Sequence, residues 1–269
     1  MLRAFLDHCA PARFAALARP GTLLAFDFDG TLAPLVADPD AAIMRARTEV
    51  LLCAACERYP CVIISGRGRR DVFRRLGRAT PLAVIGNHGA EDGATSLADA
   101  VALMRTLLAH LAGARALEGL LLEDKGASIA LHWHPDASDA DGNARAARVL
   151  AELATIDMAV RVVPGHRVLN LVPAMLAHKG DALWRIATEQ QARRVLFVGD
   201  DVTDEDAFAL PRPRFVSVRV GHTAQTGARY FVPDQRAVDL VLRELVRRRP
   251  TSASSSSHAS PPSHVPPAP

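Results

Sequence analysis

Leu23-Leu24-Ala25-Phe26-Asp27-Phe28-Asp29-Gly30-Thr31-Leu32 is the stretch that decides the fold class of this 269-residue chain. Its apolar first half is typical of a buried parallel strand, and the strand ends in two acids and a glycine. Two further short apolar segments, residues 61–65 and 82–85, run into Ser-Gly and Gly-Asn-His-Gly. Helical patterns at residues 40–58 and 68–76 separate the three segments. This alternation predicts a parallel α/β sheet with right-handed crossovers.

The pattern changes between residues 92 and 173, where helix, strand, strand, helix, strand, strand follow one another. The last two strands are expected to form a hairpin through Pro164-Gly165. Such a unit can cover one face of an antiparallel sheet with its two helices. Because strand–helix alternation returns at residue 179, we predict an α/β protein with two parts. They are a Rossmann-like parallel-sheet core (residues 1–91 and 174–249) and an inserted α+β cap domain (residues 92–173).

Composition limits the possible partners and location of the chain. The formal net charge is +3, from 32 basic and 29 acidic residues, which is too balanced to indicate a nucleic-acid or membrane partner. No apolar stretch reaches about 18 residues, and the start lacks the pattern of a secretory signal. We therefore expect a cytoplasmic protein, as a monomer, that binds a small molecule. Residues 250–269 are rich in serine and proline, which predicts a disordered tail.

Asp27 and Asp29 place two carboxylates at the end of the first predicted strand, where open α/β sheets bind their ligands. Asp27 can attack phosphorus, and Asp29 can protonate the leaving oxygen and then activate water. Gly30 permits a sharp exit and lets backbone N–H groups approach a phosphate. Since Asp-x-Asp is also common at strand ends, this pair alone leaves both interpretations open.

A second acidic block, Gly199-Asp200-Asp201-Val202-Thr203-Asp204-Glu205-Asp206, follows an apolar strand. Acids packed this closely repel one another unless a cation holds them. Magnesium prefers oxygen ligands and binds one or two carboxylates together with substrate phosphate. We predict a Mg²⁺ site with Asp27, Asp29 and Asp200 as ligands, and Asp201 and Asp204 as direct or water-mediated supports. A solvated helix N-terminus would also favour acids, but it explains Asp200 at a strand end poorly.

Ser65 and Lys179 complete the predicted phosphate site. Ser65 ends the second strand and can hydrogen-bond a phosphoryl oxygen. Lys179 opens a helix and can neutralise the phosphate while keeping Asp27 ionised. Each residue taken alone also suits a turn serine or a solvated lysine.

Four blocks in this order resemble the haloacid-dehalogenase-like (HAD) phosphatases: residues 27–32, the Ser65 block, the Lys179 block and residues 200–204. The insert between the second and third blocks matches the C2-type cap of that superfamily. Within it, the chain is most similar to the trehalose-6-phosphate phosphatase family. The strings that carry this similarity are Asp27-Phe28-Asp29-Gly30-Thr31-Leu32-Ala33-Pro34, Ile64-Ser65-Gly66-Arg67, Gly86-Asn87-His88-Gly89-Ala90-Glu91 and Glu123-Asp124-Lys125-Gly126.

The resemblance implies magnesium-dependent hydrolysis of trehalose 6-phosphate to trehalose and inorganic phosphate, through an aspartyl-phosphate on Asp27. The substrate-binding residues that it implies are Thr31, Arg67, Asn87, His88, Glu123 and Lys125. Strand alternation puts Glu123 and Lys125 on one face, which suits joint contact with a sugar. Without the resemblance, a surface ion pair would be the simpler interpretation of these two.

The sequence departs from the family at two places in the cap. His132-Trp133-His134 stands where the family has His-aromatic-Arg, and Asn170-Leu171-Val172-Pro173 stands where Glu and Arg precede proline. A related sugar phosphate, of the sucrose-phosphate or mannosyl-phosphoglycerate type, is therefore the alternative substrate. A phosphomutase, or a non-catalytic regulator on a phosphatase fold, is the alternative from another class.

Overall fold

A computed structural model describes residues 2–36, 38–91, 98–165, 167–174 and 176–249. Within these ranges the chain forms two sheets with helices packed against them. The strands are β1 (Arg3–Ala4), β2 (Thr22–Phe26), β3 (Cys61–Ile64), β4 (Ala83–Ile85), β5 (Leu120–Asp124), β6 (Ile129–Trp133), β7 (Val160–Gly165), β8 (Val168–Pro173), β9 (Arg194–Gly199), β10 (Phe215–Val220) and β11 (Tyr230–Val232). The α-helices are α1 (Ala10–Leu17), α2 (Ala46–Cys56), α3 (Arg69–Arg75), α4 (Ala98–Gly113), α5 (Asp139–Leu153), α6 (Lys179–Glu189), α7 (Glu205–Phe208) and α8 (Gln235–Arg248).

The larger sheet has the order β1-β11-β10-β9-β2-β3-β4, and all its strands pair in parallel. The strand β2 lies inside this sheet, between β9 and β3, and is buried on both faces, which explains its unbroken apolar sequence. Leu24 and Phe26 pack toward α1, α2 and α8, while Leu23 and Ala25 pack toward α6 and α7. Because parallel strands end at one edge, the residues after β2, β3, β4 and β9 meet there.

The smaller sheet is antiparallel, in the order β5-β6-β8-β7. The helices α4 and α5 cover one of its faces, where Leu107 and Val149 pack against Leu131 and Leu171. The opposite face carries Glu123, His132 and Asn170 and borders the carboxyl edge of the large sheet. The predicted fold class, a parallel-sheet core with an added α+β unit, is therefore confirmed. The domain boundaries at 91/92 and 173/174 stay a prediction.

Several predicted elements were wrong in detail. The helix expected at residues 40–58 is a 3-10 turn at Pro39–Ala41 followed by the shorter α2. Pro164-Gly165 belongs to β7 and pairs with β8, so it is not the hairpin turn. No element was predicted at β1, α1 or β11. Two of these are strands of two and three residues, too short to give a pattern.

Two further expectations concern the ends and the membrane. The predicted tail at residues 250–269 lies outside the described residues. Across the described ranges, no helix combines the length and apolarity needed to cross a bilayer.

Candidate active site

Asp27 lies directly after β2 and is the most deeply placed carboxylate of the predicted nucleophile block, with only 4% of its surface exposed. Its backbone N–H donates to the carbonyl of Val198, which ties it to β9. Its Oδ1 accepts a hydrogen bond from Lys179 Nζ at 2.7 Å. The pairing predicted between Asp27 and Lys179 is therefore present, across 152 residues of sequence.

Lys179 is the first residue of α6, and the N-terminal cap of that helix fixes its position. His178 caps the helix by accepting the backbone N–H of Asp181 through its ring, and the Asp181 side chain accepts the N–H of His178. The Lys179 side chain is 2% exposed and also donates to Asp204 Oδ1 at 2.7 Å. Burial opposes the charged form, but the carboxylates of Asp204 and Asp27 hold the pKa of Lys179 above its ordinary value.

Asp204 organises the loop that follows β9. Its fully buried carboxylate binds Lys179 through Oδ1, while Oδ2 accepts the backbone N–H groups of Asp200 and Asp201 at 2.8 and 3.0 Å. These contacts fix the direction in which the Asp200 side chain leaves the strand. The sequence predicted Asp204 only as a support for a metal, so this orienting contact is a new finding.

Carboxylate oxygens of Asp27, Asp200 and Asp204 lie within 4.8 Å of one another. Burial, and then the charge of Asp204, raises the pKa of Asp200 to about 7. Burial is also the main cause that raises the pKa of Asp27 well above its ordinary value; the charge of Lys179 opposes it, and the charges of Asp204 and Asp200 add to it. A divalent cation at this point would favour the ionised carboxylates, and a set of oxygen donors alone suits magnesium. The cluster fits a magnesium ion on both counts, with Asp27 and Asp200 as its donors, because both oxygens of Asp204 already accept hydrogen bonds.

Gly30 and Thr31 shape the turn between the two acidic blocks. Gly30 has a left-handed backbone (φ +78°), and a Cβ there would overlap the carboxylate of Asp200. Thr31 Oγ1 donates to Asp200 Oδ1 at 3.0 Å. Thr31 is fully buried and in contact with a predicted metal ligand, and its predicted role in substrate binding stays a prediction.

Asp29 lies apart from the carboxylate cluster. Arg67 Nε and Nη2 donate to its two oxygens at 2.6 and 2.7 Å, a bidentate pair. Arg67 also donates to Asp71 at 2.9 Å. The side chain of Asp29 therefore faces Arg67 in this conformation, and its role as a magnesium ligand stays a prediction.

Ser65, Asn87 and His88 form the floor beside the cluster. Ser65 Oγ accepts the backbone N–H of Arg67, and Asn87 and His88 both have left-handed backbones (φ 46° and 58°). The His88 ring lies against Gly66, where a Cβ would collide with it. Burial, and then the charges of Lys179, Lys125 and Arg161, lowers the pKa of His88 well below its ordinary value. Buried Asn87 Nδ2 and His88 Nδ1 have no hydrogen-bond partner among the described residues, so both can serve a ligand.

A cleft of about 260 Å³ joins this floor to the open face of the small sheet. Predicted residues that line it are Asp27, Asp29, Arg67, His88, Glu123, Lys125, Lys179 and Asp200. Those that instead contact the residues lining it are Thr31, Ser65 and Asn87.

Glu123 and Lys125 face the cleft from β5 and the turn after it. Glu123 Oε2 lies 2.8 Å from His132 Nε2 and 3.6 Å from Lys125 Nζ. The hydrogen bond to His132, followed by the charge of Lys125, lowers the pKa of Glu123 despite partial burial. The sequence did not pair His132 with Glu123. The pairing follows from the register, since His132 is opposite Leu121 and so diagonal to Glu123 on the same face.

The cleft also has lining residues that the sequence did not place there. Leu35 and Val36, both exposed, and Asn170, buried, belong to this group. Asn170 stands at one of the positions where the sequence departs from the family pattern, and its amide donates to the carbonyl of Val163.

Comparison with known proteins agrees with this geometry. The sequence profile described as trehalose-phosphatase matches residues 25–236. The chain belongs to the trehalose-phosphatase family. A trehalose-phosphate phosphatase of Mycolicibacterium paratuberculosis is 36% identical over 201 residues, which cover 70% of this chain and 50% of that protein. The chain thus spans about half the length of the curated relatives it matches.

Solved structures show that this trehalose-phosphatase family member shares its fold with capped HAD phosphatases. The C-terminal domain of Candida albicans trehalose-6-phosphate phosphatase superposes with a TM-score of 0.75 at 23% identity, covering 92% of this chain and 98% of that one. Aspergillus fumigatus trehalose-6-phosphate phosphatase superposes with a TM-score of 0.64 at 26% identity, covering 92% and 99%. The predicted family resemblance is confirmed.

Proposed function

We propose that this protein is a magnesium-dependent phosphatase that hydrolyses trehalose 6-phosphate to trehalose and inorganic phosphate in cytoplasmic trehalose biosynthesis. The observation that carries the proposal is the buried pair of Asp27 and Lys179 beside Asp200 and Asp204. The match to the trehalose-phosphatase profile supports the substrate class.

Asp27 is the proposed nucleophile. Lys179 holds Oδ1, which leaves Oδ2 to attack phosphorus. A bond forms between Oδ2 and phosphorus as the bond from phosphorus to the sugar oxygen breaks, giving an aspartyl-phosphate and an alkoxide. Water then attacks that phosphorus, the P–Oδ2 bond breaks, and inorganic phosphate leaves with Asp27 regenerated. Lys179, which contacts Asp27, would neutralise charge on the phosphoryl oxygens throughout.

Asp29 is the proposed general acid and base. It would give a proton to the departing sugar oxygen and take one from the attacking water. Its bidentate contact with Arg67 must open for the first of these transfers. Arg67 stays anchored by Asp71, so its side chain can remain near the cleft when it releases Asp29.

Magnesium bound by Asp27 and Asp200 would neutralise phosphoryl charge in the dry floor of the cleft. Asp29 would join them as a proposed ligand through its backbone carbonyl, which leaves its carboxyl for proton transfer, and Asp204 orients Asp200 from behind. Thr31 contributes by fixing the Asp200 carboxylate, and Ser65 by fixing the Arg67 backbone.

The sugar is proposed to lie toward the small sheet. Glu123 offers a hydrogen-bond acceptor and Lys125 a donor, 3.6 Å apart, so both can contact sugar hydroxyls. On the floor, His88 and Asn87 each offer a buried polar atom that has no partner among the described residues. Such a cleft would bind the sugar with residues of the cap and the phosphate with residues of the core.

The test is a comparison of kcat/KM on trehalose 6-phosphate, sucrose 6-phosphate and mannosyl-3-phosphoglycerate, with magnesium and with excess chelator. We expect the highest value on trehalose 6-phosphate and no turnover in chelator. A higher value on either rival would replace the substrate, and full turnover without metal would remove magnesium from the mechanism. Release of an isomerised sugar phosphate in place of inorganic phosphate would instead identify a mutase.

A further inference from the structure

A second cavity, of about 520 Å³, lies at the end of the large sheet opposite the catalytic cleft. Five arginines line it: Arg13, Arg193, Arg194, Arg214 and Arg229. We call it the arginine pocket. Arg194 opens β9, and Arg214 and Arg229 directly precede β10 and β11, so these three stand at the amino ends of parallel strands. The catalytic carboxylates follow the carboxyl ends of the same sheet, so the two sites are separate.

The arginine pocket carries positive charge without a matching negative charge. No aspartate or glutamate is among the described residues that line it. Of its five arginines, only Arg13 pairs with a carboxylate in the described part of the chain, that of Asp7. A guanidinium stays protonated at any physiological pH. A cleft lined by charges of one sign concentrates counter-ions of the other sign.

Several of these guanidinium groups are already held in place. Arg214 donates to the backbone carbonyls of Ala192 and Ala187 at 3.0 and 2.7 Å, and Arg194 donates to that of Pro20 at 3.2 Å. Because a guanidinium has five N–H donors, each of these arginines keeps donors for a ligand. Little side-chain ordering would then remain to be done on binding.

The walls between the arginines are apolar and partly aromatic. Leu17, Val216 and Tyr230 contribute to them. Arg13 and Arg229 both lie over the Tyr230 ring, with their Cζ atoms 4.7 and 5.1 Å from its centroid. Flat groups therefore already pack here, and the cavity volume is within the range of about 300–1,000 Å³ found for small-molecule sites.

We propose that the arginine pocket binds an organic phosphate, a dianion that carries a flat, apolar body. The guanidinium fork matches the oxygens of a phosphate, and several forks together favour a dianion over a monoanionic carboxylate. The apolar walls supply the contact surface for the body. This site is independent of the proposed phosphatase activity, because it uses none of the residues of the catalytic cleft.

Trp184 offers a way to observe binding. It stacks on Phe215 with ring centroids 5.5 Å apart, and Arg214 Cζ lies 5.5 Å from its ring. The chain has two tryptophans, so Trp133→Phe leaves Trp184 as the single reporter. The probe is phenylphosphonate, which has a dianionic head and a phenyl ring and no ester bond to hydrolyse.

The experiment titrates phenylphosphonate into the Trp133→Phe protein and into the same protein with Arg193→Ala and Arg229→Ala. Arg193 is exposed and Arg229 is half-buried over the Tyr230 ring. Neither side chain has a hydrogen-bond or ion-pair partner among the described residues, and the Arg229 backbone N–H, which donates to Ser217, is kept in the variant, so the substitutions should not disturb folding. In the parent protein we expect a saturable change in Trp184 emission. In the double variant the affinity for phenylphosphonate should be about tenfold weaker or more. A matched control, Arg236→Ala with Arg243→Ala on α8, removes the same charge elsewhere and should bind as the parent does.

Phenylphosphonate can also occupy the catalytic cleft, so its inhibition of p-nitrophenyl phosphate hydrolysis is measured in parallel. The double variant should keep this inhibition unchanged while losing the Trp184 response. Absence of a saturable response, or an equal response in the double variant, would overturn the site. Equal binding of benzoate would overturn the phosphate class, whereas benzoate binding at least several-fold weaker would support it.

Discussion

The floor of the catalytic cleft and the face of the small sheet above it are built in opposite ways. On the floor, Lys179 is 2% exposed and holds two carboxylates at 2.7 Å each. On the small sheet, the side chain of Glu123 is 50% exposed and lies 3.6 Å from Lys125. Charges on the floor cannot change partner without a large free-energy cost, while those above can turn toward water or a ligand. This difference supports the proposal that the floor performs the chemistry and the face above it selects the sugar.

The largest expected effect is from Asp27→Asn, which removes the nucleophilic charge and nearly nothing else. Turnover should fall by about 10⁴-fold or more, as when other enzymes lose a residue of their reacting group. The melting temperature should hold or rise, because one of three crowded carboxylates becomes neutral. Turnover is measured on trehalose 6-phosphate and on p-nitrophenyl phosphate, and near-normal rates in the folded variant would disprove the mechanism.

Lys179→Met should reduce both activity and stability. It leaves Asp27 and Asp204 buried without their cation, and breaking a buried pair costs about 3–5 kcal/mol. Urea unfolding in metal-free buffer measures this loss. Lys125→Met is the matched control, since its only carboxylate partner among the described residues is half-exposed Glu123, and it should lose about 1 kcal/mol or less. Equal losses in the two variants would erase the contrast between floor and face.

The floor should also make the metal-free protein sensitive to pH. The pKa of Asp200 is raised from 3.8 to about 7, so the folded state holds a proton that the unfolded chain releases at lower pH. Protonated Asp200 therefore contributes to the stability of the folded state fully below about pH 4, and this contribution is lost as the pH rises through about 7. Melting temperatures in chelator should therefore fall across this window.

In the proposed mechanism magnesium would bind the ionised carboxylates, so adding it should flatten or reverse that fall in melting temperature. Asp200→Asn removes the titrating group and should reduce the slope in chelator. A slope that Asp200→Asn leaves unchanged would mean that other groups cause it.

The face above the floor should show its role through substrate choice. Glu123→Ala and Lys125→Ala each remove a charge-assisted contact, worth about 1.5–3 kcal/mol or ten- to a hundredfold in kcat/KM on trehalose 6-phosphate. Part of this loss should appear in kcat, because binding of the remote sugar helps to close the cleft. p-Nitrophenyl phosphate, which has no sugar, should be nearly unaffected. Equal losses on both substrates would show that these residues do not select the sugar.

The smallest effect should come from His132, which positions Glu123 at 2.8 Å. His132→Phe removes one hydrogen bond, so kcat/KM on trehalose 6-phosphate should fall by about two- to tenfold, mainly through KM. In a Glu123→Ala background the same change should have almost no effect, which a double-mutant cycle measures. His134→Phe is the control, because the half-exposed His134 ring contacts Asp136 and does not line the cleft. A loss that persists without Glu123 would assign His132 a separate role.

Much of the core was predictable because each strand of the carboxyl edge carries its own signal. The strand β10 was predicted with its observed bounds, and Asp27 and Asp200 were placed at the ends of β2 and β9, where the structure has them. An apolar run that stops at an acidic residue indicates both that the strand is buried and that it ends at the carboxyl edge of the sheet. The strands β1 and β11 were not predicted because segments of two or three residues are too short to show a hydrophobic pattern.

The contacts within the site were less predictable than its residues. The sequence does not predict that the Asp204 side chain accepts hydrogen bonds from two backbone N–H groups, or that Arg67 donates to Asp29. Both depend on loop geometry after a strand, where one dihedral angle moves a carboxylate by several ångströms. The pair of His132 and Glu123 likewise required the register of two strands.

The adjacency of β2 and β9 has a consequence for synthesis on the ribosome. About 170 residues separate Asp27 from Asp200, so at about 5–20 residues per second the first must wait on the order of 10–35 s for the second. During that time β2 can pair with β3 but lacks its neighbour on the other side, and its edge is a template for foreign strands. A nascent chain stalled in this interval should be unable to dephosphorylate anything, and it should need a chaperone most.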